Sequence, residues 1–169
     1  RAVAPIAQKA NVRLLAFSTD ESVAGNGTFL IGYTAGHDVD RIISYAIAQG
    51  RRNFAAIFPE NDYGKIMRDR FEKSVAAGGA TVGHVDTYAP GATAMLKVTR
   101  KLRTEFNESS ATATPIDALY VPADQDTLPT IGSLLRSTGM NRHGIKLLGS
   151  HGWGFDHAGR TKVIVGAWF

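Results

Sequence analysis

Five short segments of this 169-residue sequence gather hydroxyl, carboxylate, imidazole and aromatic groups beside glycine and proline: Ser18-Thr19-Asp20, Pro59–Gly64, Thr87–Gly91, Pro122–Asp126 and Ser150–Gly154. Each supports more than one reading. Ser18 and Thr19 offer hydroxyls to a carboxylate or amide, or cap the turn that follows. Asp62 is suited to cap a helix, and Tyr63 either packs over a ligand or opens an apolar stripe with Met67. Of Asp124 and Asp126, one is expected to cap the next helix, with Pro129 in its first turn, leaving the other to face an amine or hydroxyl. In Gly149-Ser150-His151-Gly152-Trp153-Gly154 three glycines are expected to hold a tight, exposed turn. Such a turn presents His151 and Trp153 as a switchable donor and an aromatic wall, with packing as the alternative role.

These groups are binding groups more than reacting ones. Gly149-Ser150-His151-Gly152 lacks the Gly-x-Ser-x-Gly spacing of a nucleophile elbow. Gly25-x-Gly27 meets Leu30 where a dinucleotide fingerprint needs its third glycine, and no Gly-x-x-x-x-Gly-Lys occurs. With no cysteine, thiolate metal sites and a thiol nucleophile are excluded. His37, Asp38 and Asp40 have ligand chemistry but precede an amphipathic helix and are expected to cap it. His84, His143 and His157 are scattered, without i, i+4 partners. No catalytic site, metal or cofactor is therefore expected. The net charge of +4 is spread over Arg51-Arg52, Arg68, Arg70, Arg100-Lys101-Arg103 and Arg142, without the concentrated basic face of a nucleic-acid binder. At 44% hydrophobic and 20% charged, the chain has material for a core, and no run reaches the length of a membrane helix.

The elements that must hold these segments alternate along the chain. After a helical opening (Val3, Ile6, Ala7, Ala10), Arg13–Ser18 and Phe29–Tyr33 read as short strands around a turn at Gly25-Asn26-Gly27. Val39, Ile42, Ile43, Ala46 and Ile47 keep helical spacing up to Gly50. Asn53–Phe58 reads as a strand, Tyr63, Met67, Phe71 and Val75 as a helix closed by Gly78-Gly79, and Thr81–Tyr88 as a strand. Met95, Thr99, Leu102 and Phe106 mark the next helix, and Ile116–Val121 the next strand. Leu128, Ile131, Leu134 and Leu135 line a helix before Gly139, and Ile145–Leu148 and Lys162–Trp168 close the series. Strands that alternate with helices of this length predict an α/β fold, a parallel sheet with helices on both faces. Ala55-Ala56-Ile57-Phe58, apolar on both alternations, fits a strand buried on both sides. In such sheets the five segments fall at the carboxyl ends of strands, where ligands collect. Both chain ends fall inside element patterns, so a piece of a longer protein is expected.

Several of these segments resemble one family. Val3-Ala4-Pro5-Ile6-Ala7 with Arg13–Thr19, Phe54–Gly64 (Phe-Ala-Ala-Ile-Phe-Pro-Glu-Asn-Asp-Tyr-Gly), Ile116–Val121 and Leu148–Trp153 are similar to type I periplasmic binding proteins, the leucine-binding-type receptors of ABC transporters. Phe17–Gly25 and Val163–Phe169 resemble the branch of penicillin-binding-protein activators, whose best-known members are outer-membrane lipoproteins. The resemblance implies a flavodoxin-like three-layer lobe, with residues 1–33 as the end of a first lobe and hinge crossing and 34–169 as the second lobe. It implies a non-catalytic periplasmic receptor, lipid-anchored in some members, that closes on a small polar ligand such as an amino acid or an aromatic acid. Partners would be transporter membrane subunits or, in the activator branch, a cell-wall synthase. Carried over by position, Ser18 and Thr19 are ligand groups from the first lobe, and Tyr63, Asp124 and His151 from the second, with Trp153 beside them. His151 departs from amino-acid receptors, which commonly place a carboxylate there for the ligand's ammonium group.

Overall fold

The computed structural model describes residues 3–18, 23–31, 35–139, 144–154 and 165–169. They form two units, Arg1–Asp38 and Val39–Phe169. In the first unit, helix α1 (Ala4–Lys9) precedes two three-residue strands, β1 (Leu14–Ala16) and β2 (Thr28–Leu30). These pair in parallel, Leu14 opposite Thr28 through Ala16 opposite Leu30. Helix α2 (Ala35–Ala48) starts in this unit and carries its apolar stripe, Val39, Ile42, Ile43 and Ala46, in the second.

The second unit is a four-stranded parallel sheet built around β3 (Asn53–Pro59), whose first six residues are buried. Burial along every position, not every second one, marks a strand covered on both faces. Helix α3 (Asp62–Ala77) leads to the edge strand β4 (Thr81–Tyr88), and α4 (Ala92–Ser109) to β5 (Ala118–Tyr120). Helix α5 (Leu128–Ser137) then leads to β6 (Lys146–Leu148) and a 3-10 turn at His151–Trp153. The strand order is β4-β3-β5-β6, with every neighbour parallel. One face packs Ala55, Ile57, Leu119 and Val121 against Met95, Leu102 and Phe106 of α4 and Ile131 and Leu135 of α5. On the other, Phe54, Phe58 and Tyr120 meet Phe71 of α3, the Phe71 and Tyr120 rings stacking at 5.6 Å. The expected α/β fold, with helices on both faces of a parallel sheet, is the observed one.

Several local expectations are corrected. Asn61, not Asp62, caps α3: its backbone is extended and its Oδ1 accepts from the Gly64 N–H at 2.8 Å, while Asp62 pairs with Lys65 at 3.0 Å. Asp40 does not cap α2; it joins Arg70 and Ser74 of α3 and ties the two helices together. The strand expected over Ile116–Val121 is ordered as a ladder only at Ala118–Tyr120. Of the last expected strand, 162–164 lie outside the described residues, and Trp168 forms a single parallel bridge with Leu148.

Candidate functional site

The carboxyl ends of the second unit's strands converge on a cleft of about 750 Å³. Pro59, Glu60 and Asn61 reach it from β3, Tyr88, Pro90, Gly91 and Ala92 from β4, Pro122, Ala123, Asp124 and Asp126 from β5, and His151 and Gly152 from the turn after β6. Four of the five segments singled out in the sequence thus meet on one surface. The fifth belongs to the first unit, where Ser18 is half-buried; Thr19 lies outside the described residues.

Gly64 sets one wall. A Cβ there would stand 1.8 Å from the Pro59 carbonyl oxygen, so the first turn of α3 lies directly against the end of β3. The buried stripe of α3 is Gly64, Met67, Phe71 and Val75. Tyr63 therefore falls beside the stripe, 38% exposed, and lines the cleft; the reading of Tyr63 as the first core residue is corrected.

On the opposite wall, Asp124 accepts the Thr127 N–H at 2.7 Å, and its carbonyl accepts the Leu128 N–H at 2.9 Å. Asp124 is thus the carboxylate that organises the start of α5, while Asp126 stands exposed on the same rim. The hydrogen bond with Thr127 outweighs partial burial and holds the Asp124 carboxyl below its ordinary range, so it is an anion at neutral pH.

Tyr88 was not among the expected groups. It ends β4, is 4% exposed and lines the cleft. Burial, then the nearby Asp124 charge and Tyr63, raise its phenol above the ordinary value and keep it neutral. The signal was its place in the Thr87–Gly91 segment at a strand's carboxyl end; a tyrosine in an extended run reads first as core.

The loop after β6 divides its two candidates. His151 is exposed and lines the cleft, whereas Trp153 is fully buried in the core cluster with Leu128 and Ile131. The expectation that the turn presents both side chains is corrected for Trp153. Its ring fills the space a side chain at Gly149 would take, a Cβ there falling 2.3 Å from Trp153 Cδ2. Tyr63, Asp124 and His151 are therefore brought together, joined by Tyr88, and Trp153 supports the turn from beneath. No lysine or arginine lines the cleft, and no trio of His, Asp or Glu suited to a metal ion is found among the described residues.

The sequence matches the family model of periplasmic binding proteins over residues 1–163. The chain belongs to the periplasmic binding protein family. As a periplasmic binding protein it is similar in fold to a putative branched-chain amino acid ABC transporter protein from Rhodospirillum rubrum (TM-score 0.75, 17% identity, 98% of this chain and 46% of that one). A substrate-binding protein from Desulfitobacterium hafniense, in complex with Leu, matches with a TM-score of 0.65 and 16% identity over 90% of this chain and 43% of that one. A solute-binding protein from Rhodopseudomonas palustris BisB5, in complex with 3,4-dihydroxybenzoic acid, matches at 0.57 and 18% over 89% and 40%. This periplasmic binding protein thus spans less than half the length of the solved structures named. No curated protein sequence matches it. Among its described residues no helix is long and apolar enough to cross a membrane.

Proposed function

We propose that this chain is the ligand-bearing second lobe, with the end of the first, of an extracytoplasmic solute receptor of an ABC transporter. The observation that carries this reading is the convergence of four strand ends on one cleft lined by Tyr63, Tyr88, Asp124 and His151. A concave site with an apolar floor and a few polar groups is the usual form of a small-molecule site. Family membership supports it, as does likeness in fold to receptors solved with Leu and with 3,4-dihydroxybenzoic acid. In this reading residues 1–33 end the first lobe and cross the hinge, and 34–169 form the second lobe. Ser18 and Thr19 are proposed as ligand hydroxyls of the first. Binding needs no chemical step: hinge closure around the ligand and buried hydrogen bonds supply the affinity, and transporter membrane subunits are the partners. The comparisons lend no support to the cell-wall-activator branch, which is not proposed.

A thermal-shift screen of the full-length protein against amino acids, aromatic acids and amines tests the reading. One small-molecule class is expected to raise the Tm by several degrees. The combined substitution Tyr63→Ala and His151→Ala should abolish that gain without lowering the Tm of the unliganded protein. Silence across the panel, or an undiminished shift in the variant, would overturn it.

A further inference from the structure

The amino ends of the same strands, about 20 Å from the cleft along β3, border a second hollow of about 330 Å³. Asn53, which opens β3, lines it together with Gly83 of β4 and Glu105, Glu108 and Thr112 from the end of α4 and the chain beyond. Asn53 is more than nine-tenths buried, and its two amide atoms differ. Nδ2 donates to the Thr114 carbonyl at 2.6 Å, which fixes the orientation of the amide, whereas Oδ1 accepts from no donor among the described residues. A buried acceptor left this way is costly and rare in a native fold. Gly83 leaves the space beside that oxygen free of any side chain. Phe54 pairs with Val82 and Ala55 with His84, so Gly83 is the extra residue of a β-bulge, and a Cβ on it would fall 2.5 Å from Asn53 Oδ1. Glycine at a bulge marks a point where a ligand atom can come close to the strand. The charged groups of the hollow are both anions, with no lysine or arginine among the residues that line it. Glu108 is exposed, and its carboxylate makes no hydrogen bond or ion pair among the described residues. Glu105 faces His84 Nδ1 at 3.7 Å, while Lys101, one turn before it, is bonded to Asp86 at 2.9 Å.

We infer that this hollow is a calcium site, in which the Glu105 and Glu108 carboxylates and Asn53 Oδ1 hold the ion, with the Thr112 hydroxyl and water completing its shell. The site is separate from the solute cleft and does not depend on what the cleft binds. Three features select the ion. Every group offered is an oxygen, so the preference of zinc and copper for nitrogen and sulfur is not met. Glu105 and Glu108 stand three residues apart on one helix, which sets their Cβ atoms about 5–6 Å apart and lets both carboxylates serve one ion. Two carboxylates mixed with neutral amide and hydroxyl oxygens suit calcium, which takes six to eight oxygens in flexible geometry. Magnesium demands a near-ideal octahedron and gives up its water reluctantly. With only two acidic ligands and an opening to solvent, the Kd belongs in the weak range, on the order of 10⁻⁴–10⁻³ M.

Thermal unfolding of the full-length protein in CaCl2, with MgCl2 and NaCl at equal ionic strength as controls, tests the assignment. At a calcium concentration of about ten times Kd the Tm is expected to rise by about 2 °C or more, and magnesium to give less than half that rise. In calorimetric titration Glu108→Gln should bind calcium about tenfold or more weakly. Its ion-free Tm should match wild type, because Glu108 is exposed and bonded to nothing that the substitution breaks. Calcium should shift the backbone amide resonance of Gly83 and the side-chain amide resonances of Asn53, and leave those of Asp124 and Asp126 in place. A calcium response no larger than that to sodium, or equal calcium affinity in wild type and Glu108→Gln, would overturn the site. Resonance shifts confined to Asp124 and Asp126 would overturn it as well, by placing the ion at the cleft. An equal response to magnesium would overturn the choice of calcium.

Discussion

At the scale of single residues, the site depends on what is missing at position 64. The Asn61 cap, the end of β3 and the start of α3 meet at Gly64, whose N–H donates to Asn61 and whose α-carbon lies against the Pro59 carbonyl. Two effects of opposite sign would follow from Gly64→Ala. Helix propensity favours alanine by about 1 kcal/mol. Against this, a methyl 1.8 Å from a backbone oxygen must displace strand or helix, and overpacking of that kind costs roughly 1–3 kcal/mol or more. The steric effect wins, since neither neighbour is the flexible end of a side chain. The net expected outcome is a loss of about 2 kcal/mol in urea unfolding, with weaker ligand binding because the Tyr63 wall moves. Unchanged stability would show that α3 can slide freely over β3. The same residue explains why Tyr63 was ambiguous in sequence: Met67 lies four positions from Tyr63 and three from Gly64, and helical spacing accepts either as the first member of the stripe. The glycine decides, because only it fits the approach to Pro59, and that approach is a tertiary fact. Trp153 was misread for a related reason: its burial depends on the bare backbone of Gly149, which local glycine content does not disclose.

At the scale of elements, the alternation of strand and helix was legible because each helix of the second unit buries one stripe and the central strands are buried on both alternations, Asn53–Phe58 and Ala118–Tyr120 at every position. Val39, Ile42, Ile43 and Ala46, or Met95, Thr99, Leu102 and Phe106, follow their periods closely, and each is buried. The positions of the loops followed too, since parallel strands must place their carboxyl ends together. What spacing did not resolve was which of two adjacent capping residues does the work. Asn61 and Asp62 are both suited to the role; the extended backbone at Asn61 gives it the cap and makes Asp62 the first helical residue. Replacing Asn61 with alanine removes the acceptor for Gly64 and is expected to cost about 1 kcal/mol. Asn61→Asp keeps the acceptor and adds a charge favoured at a helix N-terminus, so its stability should stay within about 0.5 kcal/mol of wild type. Denaturant titration of both variants checks the pair. Equal losses would mean that the side chain acts through something other than the cap.

At the scale of the whole molecule, the two units differ in how their strands are covered. Phe54, Ala55, Ala56, Phe58 and Tyr120 of the larger sheet are inaccessible to solvent, and their helices close both faces. Among its described residues the first unit has two three-residue strands, and it leaves Leu15, Phe17 and Phe29 exposed, Phe17 at 87%. A two-stranded ladder without a covered face is marginal in water, since the entropy of ordering it is not offset by apolar burial. Local opening should therefore cost little in β1 and β2 and approach the free energy of global unfolding in β3 and β5. Hydrogen exchange of the 169-residue chain followed by mass spectrometry is expected to show peptides covering Leu14–Ala16 and Thr28–Leu30 exchanging at least about a hundredfold faster than those covering Asn53–Pro59. The prediction separates two physical states of the same sequence. If the fast exchange is found, the stability of this chain resides in the second unit, and substitutions such as Gly64→Ala report on that unit alone. Comparable protection of both would mean that the apolar surface of Leu15, Phe17 and Phe29 is covered in solution. Protection of β1 and β2 that rises with protein concentration would then identify the cover as a second copy of the chain.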